Sequence, residues 1–392
     1  AGQSSRWMER RRFMKRLITC ASLAAVGAVG LQGQQIGEPA TDKPWSVSAK
    51  LRGFYDDNYN TGSRNPSPVN GYPTVPASSW GLAFTPSVSF NLIRDMTTLG
   101  IRLDYDLRYY ADRPDNQVDQ GFLADAYFNH AFSERYQLEV KDVVAYSSEP
   151  GFGTFGTASG MPYRTENNNL RNYGSIAITF GWTEQSGSRL SYADTFYGYE
   201  DEGHANSLSA LLDRLEHLIG IDGRWNFRPT TVGLIGYQYG MFDYTSDDIL
   251  WPGTGLKGSV RNQHSHYAFL GVDHQFNPQF GTQLRLGAQF VDYPNAPAGN
   301  DDSFVSPYAD AALSYEYSSG SVAKMGVKYG LRATDLVQPS AATQSITLSQ
   351  EGPSVYASVS HAITEKLTGV LRGQWLGGMY NGGTPDGQWD TY

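Results

Sequence analysis

Two histidines that are two residues apart, His264 and His266, are the first side chains in this sequence that could do chemistry together. On a β-strand, residues i and i+2 share one face, so both imidazoles could reach the same metal ion. A zinc site takes at least three protein ligands, and no third histidine or matching carboxylate lies near this pair. We therefore predict no metal site here.

Two adjacent Ser–His pairs, Ser265–His266 and Ser360–His361, are the candidates for a nucleophile and its base. Neighbouring residues on a strand point to opposite faces, which disfavours a dyad within either pair and leaves a cross-strand dyad open. Residues 151–156 match G-x-G-x-x-G, but a dinucleotide site needs that motif between a strand and a helix. Because this motif lies inside a loop of residues 149–169, we predict no catalytic residue and no cofactor. We expect the loop to fold into the mouth of a pore.

Charged residues on alternate positions form the largest set that could carry function. Residues 99–109 alternate strictly, with Arg102, Asp104, Asp106 and Arg108 on one face and apolar residues on the other. A strand with one charged face and one apolar face fits a wall between water and lipid, where the charges line a pore or stiffen the wall as ion pairs. The charged residues predicted to point inward are Arg102, Asp104, Asp106, Arg108, Glu139, Arg214, Glu216, Asp222, Arg224, Arg285, Asp310, Glu316, Lys324, Lys328 and Arg332.

The strands that would position these charges end in a recurring pattern. Seven times, two aromatic, histidine or aliphatic residues spaced i and i+2 precede a short polar turn, and a long Gly-, Pro-, Asn- and Asp-rich loop follows at the other end. Short turns at one end and long loops at the other are typical of a transmembrane β-barrel, and the aromatic pairs would form its periplasmic girdle. The predicted girdle residues are Leu92, His130, Phe132, Phe180, Trp182, Trp225, Phe227, His274, Phe276, Tyr315, Tyr317, His361 and Ile363.

The fold class is thus predicted to be all-β, an antiparallel up-and-down transmembrane barrel of about 16–18 strands when complete, of which about fifteen are visible. A β-propeller is the rival, but each period here holds two long strands rather than four short ones. We also expect a bulge near Asp142 and a short helical turn near residues 207–212. The predicted strands are 45–56, 79–93, 98–111, 119–132, 136–148, 170–183, 188–200, 213–227, 231–245, 261–276, 279–293, 304–317, 321–334, 353–363 and 366–380.

The composition of the 392 residues fits the prediction of a transmembrane β-barrel. Charged residues make up 18%, the net charge is -9, and the mean hydropathy of -0.43 is too polar for a helical membrane protein. The negative charge argues against nucleic acid as a partner. The single cysteine, Cys20, lies in the N-terminal segment, so the mature chain is expected to lack disulfides and thiolate sites.

The domain organisation follows from a basic stretch at residues 10–16 and a short apolar stretch at 17–31, which read as an export signal. We predict a signal region over 1–33, a periplasmic lead-in over 34–44 and an outer-membrane barrel over 45–392. An odd strand count and a loop near the last residues predict that the barrel is truncated at its C-terminal end, with an open wall between its first and last strands.

Four motifs resemble the beta-barrel porin 2-like outer-membrane proteins of Verrucomicrobia-type bacteria. They lie at residues 146–150, 212–217, 265–274 and 332–335. The resemblance runs from about Trp45 onward and implies a porin-like barrel without catalytic residues.

We therefore expect a non-enzymatic outer-membrane channel for passive or weakly selective diffusion of small hydrophilic solutes, surrounded by outer-membrane lipid. Two alternatives stay open. One is a barrel enzyme with a Ser/His/Asp cluster at one rim, and the other is a plugged structural or adhesion barrel. An oligomer is compatible with the sequence, which does not specify one.

Overall fold

The computed structural model describes residues 44–59, 77–147, 168–332, 334, 337–340, 344–364 and 367–391. Fifteen long strands span most of this chain, and every strand predicted from the sequence is among them. The loop 149–169, with its glycine motif, lies almost wholly outside the described residues. The long strands are β1 (Trp45–Asp56), β2 (Ser79–Ile93), β3 (Thr97–Tyr110), β4 (Val118–Ala131), β5 (Tyr136–Ser147), β6 (Asn169–Gly181), β7 (Ser186–Tyr199), β8 (Arg214–Arg228), β9 (Thr231–Tyr244), β10 (Gln263–Asn277), β11 (Phe280–Asp292), β12 (Ser303–Ser318), β13 (Ser321–Arg332), β16 (Ser349–Thr364) and β17 (Leu367–Asn381).

Five short elements of the described chain lie between or after the long strands, and one of them is a 3-10 turn (Gly258–Arg261). Helix α1 (Leu208–Leu212) begins where the sequence predicts a helical turn, and Ser207 caps it by accepting a hydrogen bond from the Ala210 N–H at 3.0 Å. A two-stranded ribbon, β14 (Pro339–Ser340) and β15 (Ser345–Ile346), occupies part of the loop predicted at 335–352. Strand β18 (Trp389–Thr391) follows β17 after a turn. Among the described residues, no helix is long and apolar enough to cross a membrane.

The long strands and β18 form one sheet of sixteen strands, in which each strand pairs antiparallel with its neighbours in the chain. Of the described strands, β14 and β15 alone lie outside this sheet, so β13 pairs with β16. The molecule is therefore an all-β, up-and-down antiparallel sheet of the barrel type, as predicted. Within the described strands, β1 pairs with β2 alone and β18 with β17 alone, so the first and last strands are not hydrogen-bonded to each other.

The two faces of this sheet differ in chemistry because side chains alternate along every strand. On β3, Ile101 and Leu103 are 42% and 43% exposed, whereas Asp104 on the opposite face is 9% exposed. We call the face that carries Asp104 the polar face and the one that carries Ile101 the apolar face. Large exposed hydrophobic side chains recur on the apolar face from β1 to β17.

The predicted bulge near Asp142 is wrong. Strand β5 pairs without a shift against β4 and β6 through this point, where Asp142 faces Ala126 and Gly174. Asp142 therefore lies exposed on the apolar face. The Asn172 side chain donates a hydrogen bond to it at 2.8 Å, which gives the carboxylate a partner without a change of register.

The long connections between β7 and β16 pack into a core of their own at one end of the sheet, which we call the cap. It comprises α1, the loop 245–262, the loop 293–302, and residues 337–340 and 344–348. The core of the cap also includes Val291, which shares the polar face of β11 with Arg285. The buried residues of this core are Ala210, Leu211, Leu212, Leu250, Val291, Tyr293, Leu331, Val337, Ile346 and Leu348.

Candidate functional site

The polar face carries ion pairs formed within single strands. Arg102 Nη2 lies 2.7 Å from Asp104 Oδ2 on β3, and Arg224 Nε lies 2.9 Å from Asp222 Oδ2 on β8. Residues i and i+2 of a strand share a face, so this spacing brings the two charges together without a neighbouring strand. A third such pair joins Asp106 and Arg108 on β3.

Other pairs bridge strands. Arg189 on β7 reaches Glu139 on β5 at 2.8 Å, and Arg285 on β11 reaches Asp273 on β10 at 2.7 Å. Arg189 and Asp273 are absent from the predicted set. Asp273 lies on the polar face of β10, two residues after Gly271, so the period-two alternation of that strand includes it. Extending the alternation through such segments of small residues would have found both.

The remaining predicted residues sit in different surroundings. Lys328 lies 3.6 Å from Asp310, and Arg332 is buried and donates to the Gly377 carbonyl at 2.7 Å. Lys324 is half-buried, and Glu316 is exposed close to the short turn after β12. The predicted charges are thus brought together in pairs spread along the polar face rather than in one cluster. Among the described residues, no group of three or more His, Cys, Asp or Glu side chains is placed to hold a metal ion.

One predicted pair is far more buried than the others. Arg214 Nε donates to Glu216 Oε1 at 2.7 Å, and the two side chains are 2% and 4% exposed. The guanidinium also donates to the Leu212 carbonyl at 2.9 Å and stacks 4.0 Å above the ring of Tyr197. This pair lies where β8 leaves the cap, so it joins the polar face to α1.

Of three comparisons with known proteins, one finds similar structures. No family model matches the sequence, and no curated protein matches it. Solved structures with a similar arrangement include a ferric enterobactin receptor mutant from Pseudomonas aeruginosa (TM-score 0.44, 10% identity, 87% of this chain and 55% of that one). They also include a siderophore receptor from Acinetobacter baumannii (TM-score 0.39, 12% identity, 91% and 57%) and a ferric-catecholate import receptor from E. coli (TM-score 0.35, 10% identity, 88% and 62%).

The chain spans less than two thirds of the length of these three proteins. Likeness at this level does not bear on what the chain binds. The assignment of its fold rests on the sixteen-stranded sheet itself.

The predicted girdle residues all lie within three positions of a strand end that precedes a short turn. Phe132, Trp182 and Phe227 are among the most exposed hydrophobic side chains, at 62%, 59% and 67%. The histidines of this set have hydroxyl partners. Nδ1 of His130 lies 2.8 Å from Thr97 Oγ1, and Nδ1 of His274 lies 2.8 Å from Thr231 Oγ1. An imidazole held in this way presents its other nitrogen outward, which suits an interface between water and lipid.

The cap is held together by Arg261, the last residue of a 3-10 turn (Gly258–Arg261). Its fully buried guanidinium donates to three backbone carbonyls, those of Leu211, Leu348 and Thr334, and stacks 4.4 Å above the ring of Tyr244. These carbonyls come from two connections, the one between β7 and β8 and the one between β13 and β16, and Arg261 lies in a third. A single side chain therefore joins α1, the 3-10 turn and the segment before β16.

Asp213, which follows α1, gives the cap a dependence on pH. Burial raises the pKa of its carboxyl to about 6, although the Ser209 hydroxyl and the Tyr199 N–H donate to it at 2.6 and 2.7 Å. The folded state therefore binds a proton more tightly than the unfolded chain does. Its stabilising effect is complete below the unfolded pKa near 4 and is lost as pH rises through about 6.

We expect Asp213→Asn to remove this dependence. The thermal midpoint of the wild-type protein should fall between pH 4 and pH 7 relative to that of the variant, and the two should run parallel above pH 7. The shift from folded to unfolded mobility on SDS gels, measured over a temperature series at each pH, provides the test. Midpoints that stay parallel over the whole range would show that Asp213 titrates normally.

Proposed function

We propose that this protein is a non-enzymatic β-barrel channel of the bacterial outer membrane, through which small hydrophilic solutes diffuse. The observation that carries the proposal is the separation of the two sheet faces. Paired charges populate one face, and exposed Leu, Ile, Val, Phe and Trp populate the other. A barrel of 16–18 strands leaves an aqueous channel, and an Arg or Lys on its outer surface would cost about 2–4 kcal/mol at the middle of the bilayer.

The height of the apolar face supports a membrane location. His274 belongs to the predicted girdle, and His266 lies eight residues away on the same face of β10. At ~3.3 Å per residue and a strand tilt of ~40°, these two imidazoles are ~20 Å apart along the barrel axis, close to the ~25 Å height of an outer-membrane apolar band. Two polar belts thus enclose an apolar zone of the right height.

The plugged barrel is the second candidate, because the cap lies at one end of the polar face. We expect the full chain in planar bilayers to give discrete conductance steps that scale with salt concentration. A barrel that inserts and shows heat-modifiable mobility on gels, but stays silent at every voltage, would favour the plugged form. A barrel enzyme would instead require a Ser–His–Asp cluster at one rim.

Ion selectivity should respond to the charge at Lys324, a half-buried residue of the polar face of β13. Lys324→Glu replaces a cation by an anion in the wall of the pore, so it should shift the reversal potential in a KCl gradient toward cation selectivity. The matched control is Lys257→Glu, which makes the same change at an exposed residue of the cap. Equal shifts in both variants would mean that position 324 does not face the path of the ions.

A further inference from the structure

The apolar face of β8–β11 contains a groove with a volume of about 610 Å³. Its floor is formed by small residues, Gly223 and Ala268, and by the backbone of Gly236 and Gly287. The side walls are large aliphatic residues that are more than half exposed, namely Ile221, Ile235, Leu270 and Leu286. A recess of this volume, lined almost wholly by apolar atoms, falls in the range of a small-molecule site.

One end of the groove is polar. Tyr237, which lines the groove, places its hydroxyl 2.7 Å from Nδ1 of His266. The ring of Tyr239 packs against both His266 and His264, with centroid distances of 5.1 and 6.1 Å. This end lies on the side of the long connections, whereas the girdle histidine His274 lies near the short turn of the same strand.

The hydrogen bond with Tyr237 engages Nδ1 of His266, so Nε2 is the ring nitrogen left for a ligand. In the arrangement in which the Tyr237 hydroxyl donates, Nδ1 of His266 accepts. The imidazole proton is then held on Nε2 of an exposed ring. His266 therefore presents an N–H donor to a ligand group at the polar end of the groove, beside Tyr237.

We propose that this groove binds one acyl chain of a phosphorylated membrane lipid, with a phosphate oxygen accepting the hydrogen bond from Nε2 of His266. The inference rests on the proposed function, because only a wall that faces a bilayer meets lipid chains. The occupant must be apolar along the groove and anionic at the end beside Tyr237, and it must be narrow enough to lie over Gly223 and Ala268 among the larger aliphatic side chains.

A second copy of the chain fits the groove less well. The outer wall of another barrel would present a broad surface of side chains, which could cover the rim of the recess without filling its floor at Gly223 and Ala268. A flexible acyl chain, which is one methylene wide, fills the floor of the groove and leaves its rim in contact with other lipids. The concave shape and the single polar end together favour the lipid.

The test is native mass spectrometry of the full chain in detergent, titrated with dipalmitoyl phosphatidylglycerol and, in parallel, with dipalmitoylglycerol, which lacks the phosphate. Ala268→Phe fills the floor of the groove. Ala124→Phe makes the same change on the same face of β4, away from the groove, and serves as the matched control. His266→Leu removes the donor and leaves the recess intact.

We expect wild type and Ala124→Phe to hold one lipid with at least tenfold higher affinity than Ala268→Phe. His266→Leu should lose the preference for phosphatidylglycerol over dipalmitoylglycerol while it still binds both. Equal lipid adducts in wild type and Ala268→Phe would overturn the proposal. A wild-type dimer that Ala268→Phe dissociates would also overturn it, because a second copy of the chain would then occupy the groove. Conductance and heat-modifiable mobility measured on the same samples separate this outcome from failure of the channel itself.

Discussion

Arg261→Met is expected to loosen the cap and raise the conductance of single channels. The guanidinium of Arg261 holds together segments that are far apart in the chain, since it donates to the carbonyls of Leu211, Leu348 and Thr334. Methionine fills a similar volume but donates nothing, so three buried carbonyls lose a charged donor. Each such hydrogen bond contributes about 1.5–3 kcal/mol, and a buried acceptor left without a partner adds its desolvation penalty.

The cap core shows why the effect should reach the pore. Val291 belongs both to this core and to the polar face of β11, so the packed loops adjoin that face at one end of the sheet. If those loops separate, the passage widens. Asn300, which exchanges hydrogen bonds of 2.7 and 2.9 Å with the backbone of Ile346, would then hold only one side of the cap.

The matched control is Lys257→Met, which removes a cation four residues away in the same loop. Lys257 Nζ lies 2.7 Å from Asp247, but both side chains are largely exposed, so this pair should contribute little. We expect Arg261→Met to increase conductance and the rate of proteinase K cleavage in the cap, with Lys257→Met indistinguishable from wild type. Wild-type conductance with unchanged proteolysis in Arg261→Met would show that apolar packing alone holds the cap closed.

Local alternation was enough to predict the wall. Strands β1 and β2 begin and end at the residues expected from the sequence, because period-two patterns and short turns act within about a dozen residues. The same reasoning predicted a bulge at Asp142, since it treated a carboxylate on the apolar face as forbidden. It overlooked that Asn172, a residue of the next strand, could satisfy that carboxylate in place.

The cap could not be predicted in this way. Arg261 contacts carbonyls that lie 50, 73 and 87 residues away, and no periodic pattern connects those positions. Its loop is rich in glycine and reads as an ordinary surface connection. The depth of burial at Arg214 was hidden for a related reason, because α1 and the loops above it cover the end of β8. The sequence predicts the face of the sheet on which a strand residue lies, but the packing of distant loops determines how exposed that residue is to solvent.

The largest loss of stability is expected for Arg214→Leu. This substitution leaves Glu216, whose side chain is 4% exposed, as a buried carboxylate without its cation. Breaking a buried pair from one side typically costs about 3–5 kcal/mol, whereas replacing both charges by apolar groups of similar size is often close to neutral. The double variant Arg214→Leu/Glu216→Leu should therefore be more stable than Arg214→Leu alone.

The same strand supplies the control. Arg224 and Asp222 repeat the i, i+2 arrangement near the other end of β8, but their side chains are 15% and 21% exposed, so Arg224→Leu should cost far less. Unfolding by urea in lipid vesicles, followed by tryptophan fluorescence, gives the free energies of all four proteins. If Arg214→Leu destabilises no more than Arg224→Leu, water reaches Glu216, and the buried pair at the junction with the cap is a hydrated part of the pore wall.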